Sequence, residues 1–382
     1  MENQVKRISR RQFLRCCGVG LGTLIVGPTL AACQPLFSPT SPPSVGPGTP
    51  PGIGSPSPPP TLAPPSPTPT QTPVPPSPTH PPAALQPDFS PTPTAVPPSP
   101  TATRTPVPPS PTPIPTYPHL AVAQGGEPED LVRRALNALG GIRRFVRRGD
   151  NVIIKPNICV AYRTYEYAAT TNPWVVGALV RMCLEAGARR VRVMDHPFGG
   201  TPEEAYVNSG IAEQVRAVGG EMEVMSPFKF VETDLPQAWD LRRWAIYEDV
   251  LNADVVINVP IAKHHGLARL TLGMKNLMGV IWERPPLHFN LGQRLADLTS
   301  RIRPALTVID AVRVLTAHGP TGGDLADVRK LDTVIASPDI VAADAFAATL
   351  FGLRPDDLDY VRAGVAMGLG RSDLENLTIA YV

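Results

Sequence analysis

The chain predicts an α/β fold, a mostly parallel sheet covered by helices, forming a single large domain after a disordered proline-rich tether. Three observations lead there. Across 119–382, short runs rich in Val and Ile alternate with segments whose apolar residues recur at helical spacing. That stretch is long enough to bury a substantial core. Upstream of it, 34 of the chain's 49 prolines fall between Gln34 and Pro118, a composition that cannot bury enough apolar surface to offset the entropy of ordering.

Residues 1–32 read as an export signal. Ser9-Arg10-Arg11-Gln12-Phe13-Leu14 precedes a weakly apolar run that ends in Leu30-Ala31-Ala32-Cys33. The first motif resembles the twin-arginine signal, which implies the twin-arginine export machinery as a partner and export of an already folded protein. The second resembles the lipobox of bacterial lipoproteins. It implies cleavage before Cys33, lipid on its sulfur, and a lipid-anchored location on the outer face of the cytoplasmic membrane or another cell-envelope membrane. A transmembrane span needs roughly 20 apolar residues. The run at 17–32 is shorter and holds Gly18, Gly20, Gly22, Gly27 and Pro28. Those glycines have no strand or βαβ unit around them, so they do not form a dinucleotide fingerprint.

Residues 33–118 form the tether. Ser and Thr fill most gaps between the prolines, and the only acidic or basic side chains after Cys33 are Asp88 and Arg104. Such a segment favours extended polyproline geometry, rising ~3 Å per residue. Ser/Thr-Pro repeats also suit O-glycosylated stalks. The expected job is to space the next domain from the membrane.

The domain at 119–382 carries 29 basic and 31 acidic residues, once the five basic and one acidic residue of the signal and one of each in the tether are set aside from the whole-chain totals of 35 and 33. Its basic groups are scattered, which speaks against a nucleic-acid partner. Of five cysteines, only Cys159 and Cys183 belong to this domain. Cys183 lies on a helical pattern among apolar residues and reads as a buried thiol, with a disulfide between the two as the alternative. No Cys-x-x-Cys occurs, so no iron–sulfur cluster held by this chain alone is expected. Strands are expected at 119–123, 151–154, 190–194, 221–225, 254–259, 305–309, 332–336 and 377–382, with helices at 128–139, 173–186, 292–302 and 339–351.

In open α/β sheets, ligands sit beyond the carboxyl ends of the strands. Polar residues at those ends are conspicuous here: Lys155 and Asn157 after the strand at 151, Asp195 and His196 after 190, Lys263 and His265 after 254, and Asp310 after 305. A single such residue is usually solvated or capping. Four strand ends gathered along one sheet edge have the anatomy of a site. Thr171 or Asn172 caps the helix that begins with Pro173, and the free N–H groups of such a start suit an anion. Gly319-Pro320-Thr321-Gly322-Gly323 reads as a turn, with an oxyanion cradle as the alternative.

The densest stretch is 263–279, with Lys263, His264, His265, Arg269 and Lys275 in what reads as a loop followed by a helix. So many cations are costly to bury together. They are expected to face a cleft that receives an acidic group, a metal or an anionic cofactor. His264 and His265 are adjacent rather than four apart, so at most one serves as metal ligand or general acid/base. Met274 and Met278 read as core packing.

With these residues in view, the domain is identified as a member of the bacterial and archaeal family known as domain of unknown function 362. The resemblance rests on Val152-Ile153-Ile154-Lys155-Pro156-Asn157, Thr171-Asn172-Pro173, the run 253–260 with Asn258, Lys263-His264-His265, the run 272–279 with Lys275 and Asn276, and the run 337–344. It implies a fold more than an activity. Relatives that carry an added ferredoxin-like segment are called iron–sulfur proteins, but this chain lacks the cysteines. The spacing of His265 to Lys275 is also similar to a segment of the nickel-pincer lactate racemases. That likeness implies His265 as acid/base, Lys275 as tether of a nickel-containing nucleotide or another metal cofactor, and His288 as a candidate metal ligand beside His265.

Two classes of function stay open. In one, the protein is an enzyme, an oxidoreductase or isomerase, whose Lys155, Lys263 and Lys275 attract a small anionic ligand while His265 or Asp195 exchanges protons. Asn157, Thr171, Asn172, Asn258 and Asn276 would help hold that ligand or cofactor. In the other, it is a cell-surface binding or assembly protein that captures an anion without turning it over.

Overall fold

The computed structural model describes residues 116–382. The signal at 1–32, Cys33 and the tether up to residue 115 lie outside the described residues. In chain order the elements are β1 (Leu120–Gln124), α1 (Pro128–Ala138), β2 (Asn151–Pro156), α2 (Pro173–Ala186), β3 (Arg190–Val193), α3 (Pro202–Asn208) and α4 (Ile211–Ala217). Then come β4 (Glu221–Met222), β5 (Phe230–Asp234), β6 (Arg243–Tyr247), α5 (Glu248–Leu251), β7 (Val255–Val259), β8 (Ile261–His265), β9 (Arg269–Thr271) and α6 (Gly273–Asn276). The last are α7 (Leu291–Ile302), β10 (Leu306–Leu315), β11 (Val328–Ser337), α8 (Ile340–Ala348), α9 (Asp359–Ala366) and β12 (Ile379–Tyr381).

The main sheet runs in the order β12-β1-β11-β10-β7-β2-β3-β4, with the β8–β9 hairpin attached through β10. Pairings through β10-β7-β2-β3-β4 are parallel, and β11 runs antiparallel to both β1 and β10. The mostly parallel, helix-covered sheet is as the alternation of patterns predicts.

Two-residue periodicity divides the strand side chains between two apolar layers. Val152 and Ile154 pack on one face with α1, α2 and α4 through Leu131, Val175 and Val215. Ile153 points to the other, where α7, α8 and α9 contribute Leu295, Val341 and Val361. Each such fully buried aliphatic side chain stabilises the fold by about 1.5–3 kcal/mol. Helix α2 starts where Asn172 accepts a hydrogen bond from Trp174 N, with Pro173 following, and stops at Gly187 with φ of 99°.

Four strands escaped the sequence reading. β5 and β6 form a separate antiparallel pair, and β8 and β9 form a hairpin where a loop is expected. The expected strand at 221–225 shortens to β4, and the one at 305–309 extends to ten residues.

Candidate functional site

Parallel strands β2, β3 and β7 end side by side, and the chain leaving the first two forms one wall of a cleft of about 650 Å³. Hairpin β8–β9, helix α6 and the loop through Arg284 and His288 supply most of the rest of its lining.

Its floor is a chain of buried polar contacts. Lys155 Nζ lies 3.0 Å from Asp195 Oδ1 and donates to Asn276 Oδ1 at 2.7 Å. Asp195 also accepts from the backbone N–H groups of Ile158 and His196. Asn157 links two strand ends: its Nδ2 donates to Asn276 Oδ1 at 2.9 Å, and its Oδ1 accepts from Lys263 Nζ at 3.0 Å. Asn276 Nδ2 donates to Asn258 Oδ1 at 2.9 Å, and Asn258 Nδ2 reaches Gly273 O. Helix α6 is thereby fastened to the ends of β2 and β7. Its first two N–H groups, those of Gly273 and Met274, donate to the buried Asp344 of α8. Gly279 must lack a side chain, because a Cβ there would collide with Asp195 Oδ1 and Lys155 Nζ.

The charges do not balance. Of the cleft's cations, only Lys155 has a carboxylate partner among the described residues. Burial lowers its pKa to about 8, with Asp195 holding it up. Lys263 donates to Asn157 Oδ1 and Ala169 O, and burial lowers its pKa too. Arg284 donates to Met278 O and His196 O and has no ion pair among the described residues, and burial likewise lowers its pKa. Lys275 Nζ has neither hydrogen bond nor ion pair among the described residues, though only 9% of the residue is exposed. Burial, then the nearby charges of Lys263 and Arg284, bring its pKa to about 7. An amine at that value exchanges protons readily at neutral pH. Glu283 lies at the exposed rim.

His265 Nδ1 accepts from the N–H groups of Leu267 and Ala268 at 3.1 and 3.2 Å. The network therefore assigns the proton of the neutral ring to Nε2. Burial, followed by Lys275 and Lys263, holds the ring's pKa down at about 3. Such a ring offers an N–H donor, which suits a developing oxyanion better than it suits proton abstraction or metal ligation. His288 lines the same cleft, its pKa lowered by burial and by Lys275. Among the described residues no group of three or more His, Cys, Asp or Glu side chains is arranged to hold a metal ion. His196 stacks on Trp282 at the wall, with ring centroids 5.4 Å apart and planes 8° from parallel.

The structure thus brings Lys155, Asn157, Asp195, Lys263, His265, Lys275, Asn276 and His288 to one cleft. Thr171, Asn172 and Asn258 stand behind it. Thr171 Oγ1 bridges Asn157 N and Val259 O, and Asn172 N donates to Asp310 Oδ2. Asp310 is buried within β10 away from the cleft, its pKa raised to about 6 by that burial. The loop at 319–323 contributes Pro320 to the lining, but Gly319 N–H is engaged by His264 Nδ1. Cys159 and Cys183 are unpaired and buried. Arg284, Trp282 and the position of Cys159 escaped the sequence reading. They lie in loops, where no period marks which way a side chain faces.

Residues 152–349 match the family described as Domain of unknown function (DUF362). The "Thylakoid-associated protein sll1697" of Synechocystis is 28% identical over 253 residues, covering 64% of this chain and 76% of that protein. Among solved structures, the lactate racemase apoprotein from Thermoanaerobacterium thermosaccharolyticum aligns over 58% of this chain and 54% of its own, at 13% identity and a TM-score of 0.38. A protein from Thermotoga maritima aligns over 59% and 60%, at 12% identity and a TM-score of 0.37. At these scores neither likeness extends to function.

Proposed function

The chain belongs to the family described as Domain of unknown function (DUF362), and from the geometry of its site we propose that it is an enzyme that binds a small anion and moves a proton on it. One observation carries the reading. Among the described residues, Lys263, Arg284 and Lys275 line one cleft without a carboxylate partner, and Lys275 has no hydrogen-bond partner either. An unpaired buried cation is costly unless a ligand completes it. In this reading Arg284 and Lys263 hold the anion, Lys275 takes or gives the proton, and the Nε2–H of His265 steadies the oxygen on which charge develops. Lys155 and Asp195 neutralise each other and act as framework.

A metal ligated by side chains alone does not fit, since His265 would have to give up its two backbone hydrogen bonds to free a lone pair. Lys275 would fit as tether of a cofactor, but the described residues supply no matching set of metal ligands beside it.

Export through the twin-arginine machinery and anchoring through lipid on Cys33 belong to the same proposal. The name of the thylakoid-associated relative supports a membrane location.

The test is solvent-deuterium uptake into a panel of 2-hydroxy, 2-oxo and phosphorylated acids, followed by proton NMR. Exchange at one carbon, lost in Lys275→Met and slowed in His265→Phe, is expected. Saturable binding of an anion without exchange would favour a binding protein instead.

A further inference from the structure

Cys159 stands where the site's charges converge. Its sulfur donates to Pro320 O at 3.6 Å and shares the cleft with Lys263, Lys275 and Arg284. Its backbone is fixed, because the preceding Ile158 N–H is held by Asp195 at 2.6 Å and Cys159 O accepts from Phe198 N. The second thiol of the domain, Cys183, lies in the apolar layer beneath α2 with no cation near it. A thiol alone would mean little. Lys275, unpartnered, more than nine-tenths buried and lining the same cavity, independently marks the place where a ligand's anionic group belongs.

We propose that Cys159 is a nucleophile of the cleft, adding reversibly to a carbonyl carbon carried next to the anionic group of the ligand. This rests on the anion-binding reading above. In the step, the sulfur–carbon bond forms as the carbonyl π pair moves onto oxygen. The thiol proton passes through the Lys275 amine to that oxygen, so thiol and carbonyl become a hemithioacetal with no oxidant, reductant or second substrate. Lys263 steadies the sulfur as it loses its proton, and the His265 N–H faces the new alkoxide. The ligand class is a short 2-oxo acid or aldehyde acid.

The experiment alkylates the full-length protein with iodoacetate and, separately, iodoacetamide, and follows Cys159 and Cys183 by peptide mass spectrometry. Cys159 should react at least tenfold faster than Cys183, and faster with the anionic reagent than with the neutral one. Glyoxylate should protect it better than acetate, which has the charge but no carbonyl. Arg284→Met should abolish the preference for iodoacetate, and Lys275→Met should slow the reaction with both reagents. Anion binding, followed in parallel by calorimetry with glyoxylate and acetate, separates the two readings. Slow reaction of Cys159 with both reagents, while anions still bind, would overturn the nucleophile and leave the anion site standing. Rapid reaction without preference for iodoacetate, together with no anion binding, would overturn both. Cys159→Ser, with an unchanged melt and unchanged acetate binding, should lose only the advantage of glyoxylate.

Discussion

At the scale of single residues, Lys275 sets the behaviour to watch. Its pKa falls from 10.5 in the open chain to about 7 in the fold, so between those values the folded protein holds fewer protons than the unfolded one. The unfavourable contribution of this residue is absent above about pH 10.5, grows as pH falls, and is complete below about 7. Lys275→Met should therefore melt higher than the native protein at pH 7, by a few kcal/mol at most, and converge with it near pH 10. A melt that drops at pH 7 would mean that the amine has a partner. The pKa of Lys155 also falls, to about 8, but this ammonium has a counter-charge in Asp195. Asp195→Asn removes the counter-charge of a buried ammonium and should cost about 3 kcal/mol in denaturant unfolding. That loss should shrink above about pH 8, where Lys155 gives up its proton.

At the scale of elements, the short helix α6 places Lys275 and Asn276, yet at four residues it is too short to hold itself. Asp344, its pKa raised to about 7 by burial, receives the N–H groups of Gly273 and Met274 from another helix. Asp344→Asn weakens that cap and should cost about 1–2 kcal/mol. The larger effect should fall on anion binding, measured by calorimetry, because Lys275 moves with the helix. The core strands β2, β3 and β7 were legible because parallel strands buried on both faces read as continuous Val and Ile runs. Hairpin β8–β9 was not, because Lys263 and His265 occupy inward positions where a pattern reader expects apolar residues. The same inversion that hid the strand marks the site. Asp310 misled in the opposite way. Its expected place just beyond a strand end was wrong, because β10 runs on to Leu315 and keeps it inside the sheet.

At the scale of the molecule, residues 119–382 contain both apolar layers and every residue of the cleft. A fragment of these residues should melt cooperatively, within a few degrees of the full chain, in differential scanning calorimetry. A large drop would show that the proline-rich segment contributes to stability. Strand β10 pairs with β7 through Leu306 and Thr307 and with β8 through Asp310 and Leu315, while β11 runs antiparallel beside it. One strand thus serves as the spine of the sheet and as the support of the cleft wall. The hairpin cannot peel away without unzipping the centre of the protein, so its amides should exchange with deuterium only on global unfolding. Entry to the cleft then falls to the stretch from Leu277 to Asn290, built of single 3₁₀ turns and loop, whose amides should exchange through smaller, local openings. With a door that opens more easily than the wall, a ligand enters while Lys263 and His265 stay in place, and Arg284 travels with the door.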